Sequence, residues 1–145
     1  MNESQCPVLL VEDNPDDILI VKRAWREAEI ENDLMVVKDG EQAVRFLQKG
    51  KPYDDAPTLM LILLDLKMPR MDGFDVLKVI KGNRRLRSIP VVVLTSSEMS
   101  RDIERAYDYG CNSYIVKPTS FAQFQRAIKK LKQYWMRICK TPMTI

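Results

Sequence analysis

A chain of 145 residues with 46% apolar and 30% charged side chains is large enough to bury a core without covalent staples and leaves little room for a second domain. Its 23 basic and 20 acidic residues leave a net charge of +3, a mixed surface that favours solubility and singles out no polyanionic partner. With no histidine at all, the chain excludes a Ser-His-Asp triad, a His-ligated metal and a phosphohistidine of its own, so its chemistry must run on carboxylates, hydroxyls and lysines.

Short apolar runs alternate with longer segments of helical period, the pattern of an α/β fold. The first run, Val8 to Val11, is followed by Asn14-Pro15, where Asn can cap a helix and Pro can take its first position. Ile18, Val21, Trp25 and Ala28 then recur at helical spacing as helix one. Leu34 to Val37 is the second strand, and Glu41 to Leu47, before Gly50, is helix two. Leu59 to Leu64 is the third strand, and Phe74 to Ile80, closing at Gly82-Asn83, is helix three. Val91 to Leu94 is the fourth strand, with helix four over Ser100 to Tyr109 until Gly110 stops it. Tyr114 to Val116 is the fifth strand. Helix five carries the stripe Phe121, Phe124, Ile128, Leu131, Trp135 and Ile138. Because the runs are continuously apolar, the central strands are expected to be parallel and buried on both faces, with right-handed crossovers placing helices on both sides.

In such sheets function collects at the carboxyl ends of the strands. Glu12 and Asp13 follow the first strand, Asp65 the third, Thr95 and Ser96 close the fourth, and Lys117-Pro118 closes the fifth. Three carboxylates, two hydroxyls and one ammonium would share one edge. Two carboxylates about 4 Å apart repel by roughly 4 kcal/mol at an effective dielectric near 20, so a cation is expected among them. Hard oxygen donors without histidine or thiol favour Mg2+. An aspartate beside Mg2+ can attack a phosphoryl group, and Asp65, after the rigid run Leu61 to Leu64, is the candidate nucleophile. Lys117 would pair with phosphoryl or carboxylate oxygens, and Thr95 would donate a hydrogen bond to the phosphoryl oxygens. Singly, each residue reads as a loop, a cap or a turn; four strand ends in order, each with the residue its role needs, outweigh those readings.

At these positions the sequence resembles a two-component response-regulator receiver domain. VLLVEDN (8 to 14), LILLDLKMPRMDG (61 to 73), PVVVLTSS (90 to 97) and YIVKP (114 to 118) carry the likeness, which runs from about Pro7 to Trp135. The resemblance implies a (βα)5 doubly wound, flavodoxin-like sheet of order 2-1-3-4-5. It makes Asp65 the phosphoacceptor for a partner histidine kinase and Glu12 and Asp13 the acidic pair for Mg2+, with the Lys67 carbonyl as a further ligand. Thr95 becomes the switch hydroxyl, Lys117 the site lysine, and the bond before Pro118 is expected to be cis. Tyr114 becomes the aromatic that swings inward when Thr95 moves, altering the surface of helix four, strand five and helix five. Lys38-Asp39-Gly40, the segment Lys49 to Pro57, Asp102-Ile103, Tyr107 and Tyr134-Trp135 are similar to single-domain receivers paired with bacterial phytochrome kinases.

The expectation is therefore one receiver domain over 1–145, with its core at about 7–135, a short extension over 136–145 and no output domain, acting through an unidentified downstream protein. A homodimer is expected through Tyr114, Phe124 and Trp135. The longest apolar run, Leu59 to Leu64, falls short of the roughly 18 residues that a bilayer requires, and Glu12 interrupts the N-terminal apolar stretch, so neither membrane insertion nor export is expected. Cys6, Cys111 and Cys139, widely spaced and without a CxxC pair, read as reduced cytoplasmic thiols. Arg84/Arg85/Arg87 and Lys129/Lys130/Lys132 read as solvated faces and not as nucleic-acid contacts. The rival functions are a pseudo-receiver that binds partners without phosphorylation, a small phosphohydrolase and a flavin binder. The hydrolase would want an acid where Lys67 stands, and the flavin binder a hydroxyl-rich loop where Glu12-Asp13-Asn14 stands.

Overall fold

Four-residue apolar runs can be buried on both faces only if each face of the sheet has its own cover, and among the described residues five α-helices supply it. In order the elements are β1 (Val8–Val11), α1 (Pro15–Glu27), β2 (Leu34–Val37), α2 (Gly40–Leu47), β3 (Leu61–Leu64), α3 (Gly73–Gly82), β4 (Val91–Thr95), α4 (Ser100–Asp108), β5 (Ser113–Val116) and α5 (Phe121–Leu131). The structure, a computed structural model, describes residues 6–138, without the side chains of 137 and 138. Cys139 and most of the expected extension over 136–145 lie outside the described residues, as does the Ile138 side chain.

All strand pairs are parallel, in the order β2-β1-β3-β4-β5. The register aligns Val11 with both Val37 and Leu64, Leu64 with Val93, and Thr95 with Val116, so the carboxyl ends of the strands finish at one edge. Successive side chains alternate between two cores. Leu9, Val11, Ile62, Leu64, Val91 and Val93 pack under α2 and α3, with Phe46, Phe74, Leu77 and Ile80. Val8, Leu10, Leu61, Leu63, Val92 and Leu94 pack under α1 and α5, with Trp25, Phe124, Ile128 and Leu131.

Local chemistry sets the helix starts. Asn14 accepts from the Asp16 and Asp17 amides and Pro15 opens α1. Asp39 caps α2, and Asp72 with Asp75 forms a reciprocal capping box that starts α3 at Gly73, one residue earlier than expected. Gly73 is required by close approach, since a Cβ there would stand 2.2 Å from the Asp65 carbonyl oxygen.

Three expectations need correction. Leu59 and Met60 are buried but precede the β3 ladder, because apolarity reports burial and not pairing. The helix-five stripe continues past Leu131 as a π-helix over Lys132–Ile138, in which Lys132 Nζ donates to the Ala28 and Glu29 carbonyls at 3.0 and 3.2 Å and so closes the end of α1. The peptide before Pro118 is trans, and the cis bond among the described residues is Lys51-Pro52. The two isomers of an X-Pro bond differ by only about 0.5–1 kcal/mol, so tertiary context decides between them.

Candidate functional site

The strand ends deliver their polar residues to one cleft. Glu12 leaves β1 fully buried, and its Oε2 accepts from the Asn14 amide at 3.2 Å. Asp65 leaves β3 only 6% exposed, its backbone N–H continuing the ladder to the Val11 carbonyl at 3.1 Å. Asp13 completes the set: one carboxylate oxygen from each of Glu12, Asp13 and Asp65 lies within 4.8 Å of the others.

Lys117 comes from the end of β5, where its amide donates to the Thr95 carbonyl at 2.8 Å. Its ammonium contacts Glu12 Oε1 at 2.5 Å, Asp17 Oδ2 at 2.9 Å and Asp65 Oδ2 at 3.6 Å. Burial alone would lower the Lys117 pKa, but its hydrogen bonds to Glu12 and Asp17 and the charges of Asp65 and Glu12 reverse that and raise it. Glu12 is pushed up to about 7, chiefly by burial; Lys117 pulls it down while Asp65 adds to the rise. One ammonium therefore contacts three carboxylates, Asp17 included, with Asp13 beside them, and leaves the cluster short of positive charge. A divalent cation on the Glu12, Asp13 and Asp65 oxygens would supply it, and a donor set made only of oxygen matches Mg2+ or Mn2+.

Thr95 is completely buried, yet its Oγ1 has no hydrogen-bond partner among the described residues. A buried hydroxyl without a partner costs about 1–3 kcal/mol, and such exceptions concentrate where a ligand will arrive. The Lys67 amide faces Asp65 Oδ1 at 3.4 Å, which brings the backbone of the expected carbonyl ligand to the rim of the cleft.

Beside the cleft lies a second polar group. Asp102, in the first turn of α4 and 6% exposed, accepts from Ser97 Oγ at 2.6 Å and pairs with Lys67 Nζ at 3.2 Å. The Ser97 hydrogen bond, with Lys67 adding to it, holds the Asp102 carboxyl below its usual range. Tyr114 donates from its hydroxyl to the Ser97 carbonyl at 2.9 Å while its ring packs on the α2/α3 side of the core.

The expected site residues Glu12, Asp13, Asp65, Thr95 and Lys117 thus converge. Of the expected interface residues, Phe124 is withdrawn from the surface. Phe124 is 4% exposed inside the α1/α5 core, and Trp135 packs partly against the same core. An apolar stripe on a helix is first the helix's own attachment to the sheet. Sequence reasoning missed Asp17, which resembled an ordinary first-turn acid favoured by the helix dipole. The links joining Asp102 to Ser97 and Lys67 were missed as well, having no signal beyond an acid near a helix start.

The response regulator receiver domain profile matches residues 8–129. The chain is 38% identical to the probable methanogenesis regulatory protein FilR2 of Methanothrix harundinacea over 93% of its own length and 86% of that protein's. It is 35% identical to the response regulator Rcp1 of Synechocystis over 97% of both chains. The crystal structure of the Mn2+-bound form of Rcp1 superposes with a TM-score of 0.87, covering 94% of this chain and 99% of that one at 34% identity. The phosphorylated cyanobacterial phytochrome response regulator RcpA superposes with a TM-score of 0.90, covering 95% of this chain and 99% of that one at 35% identity.

Proposed function

The chain belongs to the response regulator receiver family, and from that premise we propose that Asp65 is its phosphoacceptor, charged by a partner histidine kinase. The observation that carries this reading is the pairing of the Glu12, Asp13 and Asp65 cluster with a buried, unpartnered Thr95 hydroxyl. The first is a seat for a divalent ion, and the second is a donor without an acceptor.

In this reading an Asp65 carboxylate oxygen attacks phosphorus in line. The phosphorus–nitrogen bond to the kinase histidine breaks, and its electron pair stays on the imidazole. Asp65 is held for this by the β3 ladder and by the close packing of Gly73 on its carbonyl. Lys117, already 3.6 Å from Asp65 Oδ2, pairs with the new phosphoryl oxygens, and the Thr95 Oγ1 donates to them. Glu12, Asp13, Asp65 and the Lys67 carbonyl would hold Mg2+, which supplies charge neutralisation. Water attack on the acyl phosphate then frees phosphate and restores the carboxylate, so the only turnover is the protein's own.

The receiver unit spans about 7–135 in this reading and works in the cytoplasm, relaying its state by protein contact. The likeness to the cyanobacterial phytochrome response regulator RcpA along nearly the whole chain favours a phytochrome-type kinase as partner. We assign a homodimer to the α4-β5-α5 face. With Phe124 in the core, the exposed large apolar side chains of the α4 region and of the α5 continuation among the described residues are Met99, Tyr107 and Tyr134. A monomeric mass by light scattering, with and without a phosphoryl analogue, would rule the dimer out. Among the described residues no helix is long and apolar enough to cross a membrane.

The deciding experiment is intact mass after incubation with acetyl phosphate, with and without Mg2+, beside Asp65→Asn. One phosphoryl group gained only with metal, and not by the variant, is expected. No gain would leave a binding module that works without phosphorylation.

A further inference from the structure

The pairing of Lys67 with Asp102 joins the loop after the phosphoacceptor to the start of α4. The two partners are unequal: the Lys67 side chain is 59% exposed, whereas that of Asp102 is 9% exposed. Lys67 also borders a cleft of about 440 Å³ between the β3–α3 loop and α4, lined by Asp72, Phe74 and Arg101 among others. The lysine therefore has room to swing on its four-carbon stem, while the carboxylate does not.

The first turn of α4 depends on that carboxylate. Its N-cap, Met99, makes no side-chain cap hydrogen bond, and of the helix only Asp102 and Ala106 are buried. Asp102 holds the turn together with Ser97, whose Oγ donates to Asp102 and accepts from the Met99 amide at 3.3 Å, and with Lys67 Nζ. Ser97 in turn receives the Tyr114 hydroxyl on its carbonyl. Phosphorylation of Asp65 would replace the single negative charge of its carboxylate beside the Lys67 amide by about −1.5 to −2 on the phosphoryl oxygens. That charge exceeds the single negative charge of Asp102 and competes for the same ammonium.

We propose that Asp102 is a positioning residue that gives up Lys67 to the phosphoryl group when Asp65 is phosphorylated. The exchange leaves a buried carboxylate with the Ser97 hydroxyl and only the charge of Arg101 nearby, so the α4 start and the Tyr114 contact must rearrange. A buried charge deprived of its partner is strongly destabilising where it stands, and that drives the helix start to a new position. The inference rests on Asp65 as phosphoacceptor.

The test is a double-mutant cycle on phosphoryl lifetime after acetyl phosphate loading, with wild type, Asp102→Asn, Lys67→Gln and the double variant followed by intact mass. Asp102→Asn frees Lys67 for the phosphoryl oxygens, and the lifetime is expected to lengthen about fivefold or more. In the Lys67→Gln background the same substitution should change nothing. An unchanged lifetime in Asp102→Asn, or an equal effect in both backgrounds, overturns the exchange while leaving phosphorylation intact. Failure of the wild type to take up a phosphoryl group overturns the phosphoacceptor reading, and the exchange with it. Lys67→Gln, a change at an exposed side chain, guards against a misfolded Asp102 variant. Its amides from Met99 to Ile103 should lose the NMR shift that beryllofluoride induces in wild type, and retention of that shift also overturns the proposal.

Discussion

Helices α3 and α4 flank the same cleft from the same side of the sheet and are held in opposite ways. α3 buries Gly73, Phe74, Val76, Leu77 and Ile80, opens with a capping box and leans on the Asp65 carbonyl through Gly73. α4 buries Asp102 and Ala106 and has no side-chain cap. Its far end is nevertheless secured: Asn112 Oδ1 accepts from the Val91 amide at 2.9 Å and from Lys81 Nζ at 3.2 Å, and Lys81 also donates to the Arg87 and Ile89 carbonyls. Arg105 lies over the Phe74 ring at 4.1 Å and joins the two helices midway. One helix is an anvil fixed by apolar contact. The other is a lever hinged at its carboxyl end, with its amino end held by polar contacts that a new charge can redirect.

The comparison is broken most directly by removing apolar volume from each helix. Leu77→Ala should cost about 3 kcal/mol and Ile103→Ala, half-buried on α4, about 1 kcal/mol, as read from denaturant midpoints. Equal losses would mean that α4 is anchored like α3. Thr95→Val should go the other way and raise metal-free stability by about 1 kcal/mol, because it removes an unpartnered buried hydroxyl. Tyr114→Phe deletes the bond to the Ser97 carbonyl and should cost about 0.5–1 kcal/mol, with faster hydrogen exchange confined to the β4–α4 loop.

The smallest effect at neutral pH concerns the secured end of α4. Burial pushes the Cys111 thiol up to about 11, and Lys81 nearby offsets only part of that. Alkylation of Cys111 in the native protein at pH 8 should therefore run on the order of a hundredfold slower than in the unfolded chain. Because the folded value lies above the unfolded one, this group's contribution to stability is complete below pH 9. It is lost as pH rises through 11. A native Cys111 that alkylates as fast as the unfolded one would show that this end of α4 opens freely.

α3 was legible in the sequence, because its periodic apolar residues report a face that must be buried. α4 was legible as a helix but not as a lever. Its hold is made by Asp102, Ser97 and Lys67, and nothing in the spacing of three polar residues on three segments states that they meet. The trans bond before Pro118 and the π-helical turn after Leu131 escaped for a related reason. Each is decided by contacts distant in the sequence that leave no local signal.

The sequence by itself determined the order of strands and helices, the two-sided burial of the sheet and the presence of Glu12, Asp13, Asp65, Thr95 and Lys117 at strand ends. All of these follow from hydrophobic period and short-range turn chemistry, which act over a few residues. Only the tertiary structure decided that Asp17 shares Lys117, that Phe124 turns into the core with Trp135 packed partly against it, and that Asp102 reaches across to Lys67. Those outcomes depend on which side chains the crossovers bring within a few ångströms of each other, and electrostatic energy falls with a distance that only the fold sets.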